Sequence, residues 1–231
     1  MLPLEQGQSF VVASTDLDMK KPGFAKRAGG FTLVELMVAI VIVAVLAGLV
    51  FGLAKSALGR SRLAASLQKA RDLGVRVEGY TQDNAGILPV WRDSSQDLYW
   101  WGMLVKDPKD ESQVQIFKSP GDGDFDAKKI ESTVSYGWNA RVVGRNEEDS
   151  GGEGPKRKVI FKNPSEILVL ADTKSGNMGL IDQNALPDPK RYNGKAAGVM
   201  LDGSGITLDV ETAFKGDSKY FWTEEERQER E

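Results

Sequence analysis

The stretch that decides the fold is GGFTLVELMVAIVIVAVLAGLVFGLAKS, residues 29–56. From Phe31 to Leu53 the only polar side chains are Thr32 and Glu35. About 20 consecutive apolar residues cross a bilayer core as a helix, whereas the apolar region of a secretory signal peptide is only about 7–15 residues long. The pattern therefore predicts a transmembrane helix over 31–53. A helix buried in a soluble core is the alternative, but the run lacks the polar face such a helix keeps. Lys20, Lys21, Lys26 and Arg27 precede the span, and basic flanks tend to stay cytoplasmic. Lys55, Arg60 and Arg62 follow it closely and blur that signal. Glu35 is the anomaly, because a carboxylate inside an apolar span is costly unless it has a partner.

Composition narrows the function. The chain has 231 residues, 30 Lys+Arg against 33 Asp+Glu, no cysteine and no histidine. Beyond the span there is chain for one ordinary domain. The charge balance gives no nucleic-acid footprint. Without cysteine there is neither a disulfide framework nor a thiolate metal site. Without histidine the commonest general base and zinc ligand are missing. No phosphate-binding glycine loop or nucleophile–base pair is evident, so no enzyme is expected.

The segment Lys26-Arg27-Ala28-Gly29-Gly30-Phe31-Thr32-Leu33-Val34-Glu35 resembles the class III signal of type IV pilins and type II secretion pseudopilins. The resemblance implies cleavage by prepilin peptidase between Gly30 and Phe31, and methylation of the new amine of Phe31. It implies that Glu35 acts in assembly, paired with such an amine. It also implies an α+β fold, with a long N-terminal helix packed against an antiparallel sheet. The expected role is a pilin-like subunit of a type II secretion or type IV pilus-like filament. Its partners would be prepilin peptidase, other pilin subunits, an inner-membrane assembly platform and membrane lipid. The head would lie on the periplasmic side of the inner membrane. A membrane-tethered binding or adhesion module that never polymerises is the alternative.

A second resemblance runs through the rest of the chain, to pseudopilin-like proteins ending in a His, nine residues, then Asp-Gly. Here Tyr192 stands for the histidine ahead of Asp202-Gly203. Further pieces in the same order are Trp100 to Leu104, Phe117-Lys118-Ser119-Pro120, Ser135 to Asn139, and Asn163 to Asp172. The group commonly has cysteine where this chain has Ser119. Both departures remove reactive side chains.

The expected divisions are a leader at 1–30, the span at 31–53, an amphipathic helical continuation at 54–82, a globular α+β head at 83–222 and a charged tail at 223–231. In the continuation, Leu63, Leu67, Ala70, Leu73 or Gly74, Val77 and Tyr80 recur three or four apart and form one face. Helix from Phe31 to Tyr80 would be about 75 Å long. Gly48 and Gly52 form a G-x-x-x-G pair, either a close-packing surface or ordinary glycine usage. Asp83-Asn84-Ala85-Gly86 reads as the helix stop. Trp91, Tyr99, Trp100 and Trp101 read as a cap on a small core, with a recognition surface as the other reading. Strands are expected at 134–138, 141–143, 159–161 and 167–171, with a loop at 145–158. A hairpin is expected from Ala197–Leu201 and Ile206–Val210 across an Asp-Gly turn. Asp122, Asp124 and Asp126 alternate in a glycine-rich loop and are candidate calcium ligands. The spacing is not that of an EF-hand, and a solvated acidic loop is the other reading.

Overall fold

The structure is a computed structural model, and it describes residues 31–145 and 154–230. The leader, with Gly30, lies outside the described residues, as do residues 146–153 of the expected loop and Glu231. The chain divides into two compact units at Ala47/Gly48.

One helix, α1, runs over Leu33–Asp83. It is long and apolar enough to cross a membrane, and none of its apolar window is buried. Its start carries a device the sequence reading missed. Thr32 Oγ1 accepts from Glu35 N at 3.2 Å, while Glu35 Oε2 accepts from Thr32 N at 2.9 Å and Thr32 Oγ1 at 2.8 Å. This is a capping box, written in sequence as Thr-x-x-Glu before an apolar run. It satisfies helix-end donors that would otherwise lack partners.

Within the second unit, α1 buries Ser66, Ala70, Leu73, Val77 and Thr81. The expected face is shifted. Leu63, Leu67 and Tyr80 are only half-buried, and a serine occupies the first fully buried turn. The helix stops where expected. Ala85 and Gly86 take positive φ of 55° and 82°, and Gly86 N donates to Thr81 O at 2.8 Å.

The head is an antiparallel sheet in the order β3 (Tyr136–Trp138), β4 (Leu168–Asp172), β5 (Lys195–Met200), β6 (Gly205–Asp209). A separate two-residue pair, β1 (Arg92–Asp93) with β2 (Leu98–Tyr99), lies ahead of it in sequence. The β5–β6 hairpin turns at Asp202-Gly203 as expected, with Gly203 at φ 86° and Ser204 N donating to Asp202 Oδ1 at 2.8 Å. Val210 does not extend β6; it opens a short helix capped by Asp209.

Two expected strands are corrected. Residues 141–143 belong to a helix, Ala140–Val143, ended by Gly144 at φ 118°. Residues 159–161 overlap a 3₁₀ turn, Lys158–Ile160. Both segments are only three residues long, too short for periodicity to separate strand from helix.

Both faces of the sheet are covered, which is why every residue of β4 is buried. On one face Ala70, Leu73 and Val77 of α1 pack with Val169, Leu170, Val199 and the aromatic cluster. That cluster stacks Trp100 on Trp138 with centroids 5.7 Å apart and sets Trp100 edge-on to Phe117 at 5.5 Å. Trp91, Tyr99, Trp100 and Trp101 are all buried, so they act as core. On the other face Leu168, Ala171, Met200 and Leu208 meet Phe214 and Phe221 from the C-terminal segment. The tail is ordered as a helix, Glu224–Gln228, under a Thr223/Glu226 capping box. A register shift between Leu168 and Leu170 breaks the strand's alternation, so that the consecutive Val169 and Leu170 both join the first core while Leu168 and Ala171 join the second. The outer edge of β3 is taken by residues 179–181, with Trp138 N donating to Gly179 O at 2.8 Å and Ile181 N to Trp138 O at 3.0 Å. A Cβ on Gly137 would sit 2.4 Å from the Leu180 carbonyl oxygen, so only glycine fits there.

Candidate functional site: a processing signal and a buried polar cluster

The described chain holds two arrangements of polar groups that packing alone does not require. The first is the helix start. Phe31 to Leu46 are all exposed within the unit they belong to. Glu35 Oε2 takes both bonds from Thr32, and its Oε1 has no hydrogen-bond partner among the described residues. The carboxylate is thus held by its own chain through one oxygen and open through the other. Gly48 and Gly52 also stand open: apart from the adjoining residues and the helix's own backbone, no described heavy atom lies within 4 Å of a Cβ built at either.

The second arrangement lies inside the head and is centred on Asp172, at the end of β4 and about 1% exposed. Oδ2 accepts from Ala197 N of β5 at 2.6 Å. Oδ1 accepts from Ser119 Oγ at 3.0 Å, and Ser66 Oγ of α1 lies 3.1 and 3.3 Å from the two oxygens. Tyr136 of β3 reaches Ser66 Oγ at 3.0 Å. Tyr192 bonds to Ser119 Oγ and accepts from Gly121 N. Arg191 sits beside them, paired with Asp122 at 2.8 Å and 3.7 Å from Asp172. It also donates to Ser135 O at 3.3 Å.

Four separately quoted pieces of sequence therefore converge: Ser119, Tyr136, Asp172 and Tyr192. The Asp202-Gly203 half of the C-terminal motif does not join them; it makes the β5–β6 turn. Ser66 was missed. A serine on an apolar helical face reads as an interruption, and only the three-dimensional partner explains it. Ser119 and Tyr192, the two positions at which the sequence departs from the motif it resembles, are bonded to each other as a hydroxyl pair.

Burial, opposed by these hydrogen bonds and by Arg191, pushes Asp172 up from 3.8 to about 6. Burial foremost, and then the Asp172 charge, raises the Tyr136 and Tyr192 phenols, so both hydroxyls remain protonated. The consequence for stability has a definite sign. The folded chain binds the Asp172 proton more tightly than the unfolded chain does. This contribution is complete below pH 3.8 and is lost as pH rises through about 6. The displacement corresponds to about 3 kcal/mol. Unfolding midpoints of the full chain in detergent should therefore fall from pH 4.5 to pH 7 by more than those of Asp172→Asn. Parallel pH profiles for the two proteins would show that another group sets the slope.

In the acidic loop, two of the three aspartates are engaged within the chain. Asp122 is committed to Arg191, and its other oxygen accepts from Asp124 N. Asp126 caps the turn Ala127–Lys129 by accepting from Lys128 N. Among the described residues no group of three or more His, Cys, Asp or Glu side chains is placed to hold a metal ion.

Comparison with known proteins bears on the first arrangement. Residues 25–51 match the family model of the prokaryotic N-terminal methylation motif. No curated protein and no solved structure matches the chain. The chain thus carries a type IV pilin-like prepilin signal, the kind that prepilin peptidase processes, followed by an apolar helix suited to membrane anchoring.

Proposed function

We propose that this chain is a structural subunit of a type II secretion or type IV pilus-like filament, a pseudopilin in the broad sense, with no catalytic role of its own. The observation that carries the proposal is the prepilin signal at the head of a membrane-length apolar run, none of which is buried. Prepilin peptidase cleaves between Gly30 and Phe31 and methylates Phe31. The precursor sits in the inner membrane with its head on the periplasmic side. The mature helix then leaves lipid to pack against other pilin subunits at an inner-membrane assembly platform.

Glu35 is the assembly residue in this scheme. Cleavage creates a cation, the Phe31 amine, with a reference pKa near 7.7–8.0. The capping box holds the Glu35 carboxylate in one rotamer through Oε2, which supports a second bond through Oε1 to the amine of a neighbouring copy. Opposite charges removed from water attract strongly, and an unpaired one is costly. That pairing sets the axial register between subunits, while the exposed Gly48 and Gly52 offer a close-approach surface between helices.

Shearing cells that express the chain with the rest of its assembly machinery tests the proposal. The chain is expected in the sheared filament fraction. Its retention wholly in the membrane fraction, despite processing, would favour the tethered, non-polymerising module.

A further inference from the structure

No Asp or Glu occurs between Glu35 and Asp72, yet Lys55, Arg60, Lys69, Arg62 and Arg71 fall in that interval of a chain whose net charge is -3. Two of the five are engaged by the head. Lys69 donates to Lys118 O at 2.8 Å, and Arg71 lies over the backbone of Gly205. The other three, Lys55, Arg60 and Arg62, are exposed and have no ion pair or hydrogen bond among the described residues.

Their position points to what they meet. They stand two, seven and nine residues beyond Leu53, the last residue of the apolar run, on the same helix. At 1.5 Å per residue this is about 3–14 Å past its end. The polar headgroup layer on each side of a bilayer core is about 5–8 Å thick. Side chains on a helix lean toward its N-terminus, which here is the membrane side. Long cationic side chains therefore bring their heads back into that layer while their stems cover apolar surface. Lys55 and Arg62 are seven apart and share a side of the helix, whereas Arg60 projects from a different side at 100° per residue. A protein partner would be met along one face; lipid surrounds the helix.

We infer that Lys55, Arg60 and Arg62 form a collar that binds the phosphate groups of anionic phospholipids in the leaflet facing the head. The collar holds the helix at a fixed depth before assembly, and its lipids must be given up when the helix leaves the bilayer. The inference needs the helix to lie in a membrane, not that the chain forms filaments.

Native mass spectrometry of the full chain tests it. The protein is released from bilayer nanodiscs of equal parts phosphatidylcholine and phosphatidylglycerol, and the retained lipids are counted. The wild type is expected to retain phosphatidylglycerol in preference. Lys55→Gln, Arg60→Gln and Arg62→Gln each lower the ratio, by a factor on the order of five for each cation removed. Arg60→Lys with Arg62→Lys keeps the preference. An unchanged ratio in the triple Gln variant would overturn the assignment. So would a variant that keeps its lipid preference but no longer enters sheared filaments, because the collar would then face carboxylates of a neighbouring copy.

Discussion

Glu35→Ala is expected to leave membrane insertion and leader removal nearly intact while reducing incorporation into sheared filaments by at least about tenfold. Two contributions from this side chain disappear together. Loss of the capping box frees the start of α1, at a cost of about 1 kcal/mol. Loss of the carboxylate removes the partner of the neighbouring amine, and an uncompensated ion in an apolar surrounding costs about 3–5 kcal/mol. Only the second acts between subunits, so the two can be separated. Thr32→Ala removes the cap but keeps the carboxylate, and should reduce assembly far less than Glu35→Ala. Equal defects in the two variants would assign Glu35 to capping alone. Filament recovery at matched cellular abundance reads the difference.

Removing Arg191 should be the most damaging single change in the head. Its side chain is about 5% exposed, and it stands between Asp122 and Asp172, whose side chains are each about 2% exposed. Arg191→Ala leaves both carboxylates buried without a cation, an error that costs about 3–5 kcal/mol. Against a typical total of about 5–15 kcal/mol, that approaches unfolding at physiological temperature. The expected result is a large drop in the urea midpoint of the detergent-solubilised chain. Asp122→Asn in the Arg191→Ala background should restore part of the loss, since it removes one of the stranded charges. No recovery in the double variant would mean that Arg191 acts through packing instead of charge.

The parts of this fold that were legible in sequence are those set by local chemistry. The Asp83 to Gly86 stop and the Asp202-Gly203 hairpin were readable because positive φ and Asx turns are properties of the residues that make them. The membrane-length run was readable because nothing in it forms a polar face. The prepilin signal is legible as a motif, and the same letters also spell Thr-x-x-Glu, the capping-box pattern that gives Glu35 its second role. What stayed hidden depends on partners distant in sequence. Ser66 meets Asp172 across 106 residues, and no local pattern shows that a helix serine will be buried against a strand carboxylate. Nor does any local pattern show that Phe214 and Phe221, near the end of the expected head, close the second face of the sheet. Spacing alone also does not reveal that Arg191 pairs with Asp122 and that Asp126 caps a turn.

The central claim is that the chain is cut at the prepilin junction and then polymerises. Intact-mass measurement on the chain recovered from sheared filaments tests both halves at once. The expected mass lacks residues 1–30 and carries one added methyl group at Phe31. A chain found only in membranes, or one that still bears its leader in cells containing the peptidase, would contradict it.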